Sequence, residues 1–133
     1  RVRLERSEAG LRAELAGHRE FLDLLRDPAT RVVELRGLPA APQASGRVVW
    51  HERSGGRVFV ANLPPPPPGK AYEAWTIAGP APRPAGVFTV DAAGRGSHRL
   101  EPAPGAPVTV FAVTLEPAGG VESPTGPMVL ASR

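Results

Sequence analysis

Carboxylates, histidines and serines are the side chains of this sequence with the means for chemistry, and their spacing decides which chemistry is open to them. His18, His51 and His98 fall at no spacing typical of a metal-binding pair, and with no cysteine to add a thiolate the sequence predicts no metal site. Ser7, Ser45, Ser54, Ser97, Ser123 and Ser132 all stand outside the Gly-x-Ser-x-Gly turn that presents a nucleophile. Glu73, Asp91 and Glu116 are the carboxylates that folding could bring together for acid–base work, yet each is equally explained as a solvated strand or loop charge. No phosphate-cradling or dinucleotide-binding glycine pattern is present. The chain is therefore read as non-enzymatic, with no cofactor.

The polar groups of most interest lie in Phe111 to Leu130, FAVTLEPAGGVESPTGPMVL. An uncharged run, Pro107 to Leu115, enters this stretch as a strand covered on both faces would. Glu116-Pro117 ends it, Gly119-Gly120 permits positive φ, and Pro124-Thr125-Gly126-Pro127 fixes the backbone again before a second apolar run from Met128 to Ala131. Two strands joined by an ordered loop are predicted. Glu116, Gly119, Gly120, Pro124, Thr125 and Gly126 form its structural motif, with the carboxylate and hydroxyl able to accept nearby backbone N–H groups.

The elements that must position this loop follow from composition. A length of 133 residues suits one domain, and 17 prolines and 15 glycines against seven aromatics favour short strands and turns over a helical bundle. Net charge is +3, but the arginines are scattered with no basic stripe or interleaved aromatics, so no nucleic acid is expected as a partner. The absence of cysteine excludes disulfides, and no apolar run is long enough to span a bilayer. The first residue is not methionine, and the sequence is read as part of a longer protein.

Residues 1–27 read as an amphipathic helix. Leu4, Leu11, His18 and Leu25 share one heptad position and Glu8, Leu15 and Leu22 the other, giving the alternating four- and three-residue steps of a helix seam. Gly10 and Gly17 each cost about 1 kcal/mol of helix propensity, so the helix must lean on a partner helix, on the β-domain, or on a preceding helix that continues into it; Leu4, Leu11, Leu15, Leu22 and Leu25 further predict a homodimer through the seam. Asp27-Pro28 ends it, because proline turns the residue before it out of the helical region.

Residues 28–133 read as an antiparallel β-sandwich of about eight strands: Arg31 to Arg36, Arg47 to Glu52, Arg57 to Leu63, Lys70 to Ala78, Ala85 to Asp91, Gly96 to Leu100, the uncharged run ending at Leu115, and Met128 to Ala131. Ser54-Gly55-Gly56 predicts a hairpin between the second and third, and Ala92-Ala93-Gly94 another between the fifth and sixth. Pro64 to Pro68, unable to donate to a ladder, predicts a rigid crossover.

Tyr72 to Trp75 (Y-x-x-W), Gly86 to Phe88 (GVF) and the terminal block Phe111 to Pro127, in that order, resemble the extracytoplasmic C-terminal domain of the anti-sigma-K factor RskA family. Val121 stands where the family commonly has serine. The resemblance covers about residues 28–133, most strongly the last sixty or so. It implies a membrane-tethered regulator in which a cytoplasmic domain, absent from this sequence, holds an extracytoplasmic-function sigma factor. A transmembrane helix, also absent here, would anchor it, and membrane proteases would release the sigma factor. It assigns no catalytic or binding residue. On this reading the helix is a stalk of about 40 Å that lifts the β-domain off the membrane.

A second expectation of another class is a sandwich that binds a small ligand or glycan outside the cytoplasm, using Trp50, Tyr72 or Trp75 as a platform. Exposed tryptophans beside a pocket would favour it; buried ones would remove its basis.

Overall fold

The computed structural model describes residues 7–132. One helix, α1 (Glu8–Arg26), precedes eight strands: β1 (Arg31–Gly37), β2 (Ser45–His51), β3 (Gly55–Ala61), β4 (Lys70–Ile77), β5 (Pro82–Phe88), β6 (Gly96–Leu100), β7 (Val110–Pro117) and β8 (Met128–Ala131). The protein is mainly β and antiparallel, with an N-terminal helix. The predicted helical start at Arg1 and the head of the seam at Leu4 lie outside the described residues.

All eight strands are hydrogen-bonded into one sheet, in the order β5-β4-β7-β8-β1-β2-β3-β6. The sheet curls around a core in which Trp50 meets Phe111 edge-on, with ring centroids 5.2 Å apart, among Leu35, Val48, Val58, Leu100 and Leu130. Curling brings the end strands β5 and β6 back beside each other. There His98 Nε2 lies 2.9 Å from the Ala85 carbonyl and its ring stacks on Phe88. Gly86, at φ +106°, makes room for that contact, since a Cβ there would come within 2.3 Å of the imidazole.

The β2–β3 hairpin forms as the Ser54-Gly55-Gly56 turn predicts, with Val48 opposite Val58. The predicted β5–β6 hairpin does not: β5 pairs with β4 and β6 with β3. Pro82 and Pro84 leave β5 without two of its donors, which suits an edge strand. The intervening turn is held locally instead, by Asp91 accepting from Ala93 and Arg95 N–H groups. The five prolines carry the chain from β3, near one end of the strand order, to β4, near the other. Tyr72 Oη donates to the Pro64 carbonyl at 2.5 Å and ties the start of that crossover to β4.

Alternation along β4 and β7 sorts their side chains onto two faces. Tyr72, Ala74, Phe111 and Val113 enter the main core, whereas Trp75 and Ala112 join Ala131 in a second cluster on the opposite face. Val121, from the loop between β7 and β8, packs onto this outer cluster. β7 is thus covered on both faces, by the core within and by its own following loop without.

Candidate functional site

Under that loop lies the densest polar network of the described residues. Glu116 is 0 % exposed. Its carboxylate accepts the Thr114 hydroxyl at 2.7 Å, the Thr125 hydroxyl at 2.7 Å, and the backbone N–H groups of Thr125 and Gly126 at 3.1 Å each. Thr114 Oγ1 in turn accepts from Trp75 Nε1 at 2.8 Å, so donors run from the indole through the hydroxyl to the carboxylate. The side chains converge because Glu73, Trp75, Thr114 and Glu116 all occupy the outer face of adjacent strands, with Glu73 opposite Thr114.

Burial alone would raise the Glu116 carboxyl, but hydrogen bonds from Thr114, Thr125 and Gly126 outweigh it and hold the group below the ordinary carboxylate range. Glu73, 3 % exposed, goes the other way. Burial raises its carboxyl, and the charges of Glu116 and Glu122 add to the rise; one N–H, from Val121 at 2.9 Å, opposes it. Of the three carboxylates that could have come together, folding brings Glu73 and Glu116 onto one face, each holding a different segment of the loop. Asp91 remains in its own turn.

The glycines of the loop divide sharply. Gly126 packs so closely on β7 that a Cβ would lie 1.8 Å from the Leu115 carbonyl oxygen, and Leu115 N donates to the Pro127 carbonyl at 3.0 Å. Gly120 has φ +81° and faces Val87 and Glu73, whereas Gly119 has neither a positive φ nor a neighbour within 4 Å of an added Cβ. Only the second of the paired glycines uses the permitted conformation. Pro124 is half-buried in the same loop.

A second constellation joins α1 to the sheet, and spacing alone gave no sign of it. The helix starts on Ser7, whose side chain accepts from Gly10 N–H at 3.0 Å. Phe21 meets Phe59 edge-on, with centroids 5.4 Å apart, and Glu20 pairs with Arg99 at 3.2 Å. At the helix end, buried His51 reaches Asp27 Oδ2 through Nε2 at 3.1 Å while its Nδ1 accepts the N–H groups of Arg53 and Ser54. Those acceptor contacts leave the proton on Nε2, pointed at the carboxylate. A cleft of about 240 Å³ remains between α1 and the β2–β3 turn, bordered by Gly17, Glu20, Asp23, Ser54 and Arg57.

The aromatic platform does not form. Trp50, Trp75 and Tyr72 are all buried, at 0 %, 1 % and 2 % exposure, so none offers a ring face to a ligand. Among the described residues no group of histidines and carboxylates is arranged to hold a metal ion, and no helix is long and apolar enough to cross a membrane.

Comparison with known proteins bears out the family resemblance. The family model described as anti-sigma-K factor RskA, C-terminal, matches residues 1–128, so the match includes α1 as well as the sheet. The chain is 31 % identical over 81 residues to the anti-sigma-K factor RskA of Mycolicibacterium vanbaalenii strain PYR-1, an alignment covering 61 % of this chain and 34 % of that protein. The chain thus aligns with about a third of that relative's length. No solved structure matches it significantly. With its terminal block folded over β7 and the family model matching nearly end to end, the chain belongs to the anti-sigma-K factor RskA family, as its C-terminal domain.

Proposed function

We propose that this chain is the extracytoplasmic portion of a membrane-tethered anti-sigma factor that restrains an extracytoplasmic-function sigma factor until regulated proteolysis frees it. The observation that carries the reading is the family match over residues 1–128, in which helix and sheet are matched together. Its partners are a sigma factor bound by a separate cytoplasmic domain, the membrane that anchors the protein, membrane proteases, and a second copy of the chain along α1. Residues 1–27 serve as the stalk and residues 28–133 as the domain that guards it.

The physical support is the way α1 is held. Its contacts with the sheet are few and mostly polar at its C-terminal half, so the helix can detach without unfolding the core. Attachment holds this half as helix, and detachment lets it unwind into the extended form that a protease must bind. The Glu116-centred network acts in this scheme as a loop-fixing device, keeping the outer face of β4 and β7 closed.

The test is a sigma-dependent reporter in cells expressing the full-length protein with and without residues 28–133, combined with topology mapping of this portion. Loss of the β-domain should expose the stalk to cleavage and raise reporter output. An unchanged reporter and intact stalk, or a cytoplasmic location, would overturn the proposal.

A further inference from the structure

The function proposed above uses the five consecutive prolines only as a crossover. Proline fixes its own φ at about −65° and keeps the residue before it extended, so residues 64–68 run as a polyproline II helix with three residues per turn. Burial along the run follows that period. Leu63 is buried and Pro66 half-buried, three residues apart on the edge turned to the domain. Pro64 and Pro67 make a second edge, Pro65 and Pro68 a third, and all four are exposed. Two of the three edges of the prism therefore stand outward, side by side.

Both ends of this ridge are tied. Leu63 N–H donates to the Gly94 carbonyl at 3.2 Å, and Tyr72 Oη to that of Pro64. At the other end a turn through Gly69, at φ +80°, brings Lys70 N–H to the Pro67 carbonyl at 3.0 Å, and Ala118 N–H holds the Gly69 carbonyl at 2.9 Å. The carbonyls of Pro65 and Pro66 receive no hydrogen bond among the described residues. Lys70 follows Pro68 by two residues, completing a Pro65-x-x-Pro68-x-Lys70 pattern. It is exposed and takes part in no ion pair among the described residues. A crossover needs the rigidity; the bare proline edges, the free carbonyls and the unpaired cation are what a partner would read.

We propose that residues 64–70 form a docking ridge for a partner protein with an aromatic-lined groove and a carboxylate beside it. Pro64, Pro65, Pro67 and Pro68 enter the groove as two adjacent edges, the Pro65 and Pro66 carbonyls accept donors from its rim, and Lys70 meets the carboxylate and sets the direction of the chain. Leu63 and Pro66 remain on the domain. Docking costs little ordering entropy, because the prolines have no rotamers to lose and the ends are already held. The ridge makes no use of α1 and stands apart from the function proposed above.

The test uses two isolated domains as probes: an SH3 domain that takes Pro-x-x-Pro-x-Lys ligands and a WW domain that takes plain polyproline. Each is titrated calorimetrically with the 133-residue protein and with the free peptide of residues 63–70. The protein should bind both, and at least as tightly as the peptide, because its ridge is already ordered. Pro65→Ala combined with Pro68→Ala should weaken both interactions about tenfold, whereas Pro104→Ala, at an exposed proline elsewhere, should change neither. Lys70→Glu keeps every proline and should weaken the SH3 interaction while sparing the other. Circular dichroism melts check that each variant folds. A peptide that binds while the protein does not would show the ridge to be shielded and overturn the proposal. Failure of protein and peptide alike, or binding indifferent to the double variant, would overturn it too. Binding of the WW domain alone, or SH3 binding indifferent to Lys70→Glu, would overturn the part given to Lys70.

Discussion

The Glu116 carboxylate receives both the hydroxyl of Thr125, at 2.7 Å, and its backbone N–H, at 3.1 Å, across a loop that leaves β7 and returns as β8. One side chain thereby replaces the ladder partners that the loop lacks. Glu116→Ala would strand Thr114, Thr125 and Gly126 donors against an apolar wall, and each buried group left unpaired costs about 1–3 kcal/mol. Chemical denaturation should show a loss of that order or more for Glu116→Ala and a smaller one for Thr125→Ala, which leaves the Thr125 N–H contact in place. Equal stability of Glu116→Ala and the parent would show that the network holds nothing.

The two carboxylates under the loop should respond to pH in opposite senses. Glu116 is held below the ordinary carboxylate range, so its contribution is full above the unfolded value of about 4.3 and is lost as pH falls through its folded value. Glu73 is raised, so its ionisation costs stability as pH climbs from about 4.3 through its folded value. Glu73→Gln should therefore stabilise the protein at neutral pH and not at pH 3. The deficit of Glu116→Gln should instead shrink as acid is added. Stability curves of the two variants running parallel to the parent from pH 3 to 7 would contradict both assignments.

Gly126 and Gly119 provide a paired test of backbone packing. Alanine at Gly126 would drive a methyl to within 1.8 Å of the Leu115 carbonyl and must part the loop from β7, whereas alanine at Gly119 meets nothing. Thermal melts should place Gly126→Ala several degrees below the parent and Gly119→Ala near it.

Attachment of the helix is expected to depend on Asp27. Removing its carboxylate leaves His51 Nε2–H, in a ring 6 % exposed, without an acceptor and frees the last turn of α1. Hydrogen exchange should show Asp27→Ala losing protection along α1 by about tenfold while β7 and β8 keep theirs. Uniform loss across the sheet would mean that helix and domain unfold as one unit.

Much of the architecture was legible because periodicity and punctuation agree: alternation marked strands such as Arg47 to Glu52 and Lys70 to Ala78, uncharged runs marked the last two, and Asp27-Pro28 marked the helix end. The β5–β6 pairing misled because a glycine turn between short strands looks the same whether or not the strands ladder, and the expected fifth strand, Ala85 to Asp91, leaves out Pro82 and Pro84, which begin β5. Glu73 and Glu116 resembled solvated charges because nothing local says that a segment nine or ten residues beyond Glu116, and 48 beyond Glu73, will fold back as their lid. The tryptophans gave no hint of their depth for the same reason, since Trp75 is covered by Val121, which is distant in sequence. The clasp of Asp27 and His51 joins the helix end to the end of β2, a juxtaposition that exists only after the sheet has formed.

One consequence follows from where the helix enters the sheet. It leads into β1, an interior strand bonded to β2 along most of its length and to β8 at its far end. A pull on the chain from its N-terminal side would first peel Arg31–Leu35 from β2 alone and then meet Arg36 and Gly37, where β8 adds a second ladder, while the borders of the sheet, β5 and β6, carried none of the load. Mechanical resistance is thus greatest at the far end of β1, away from the helix.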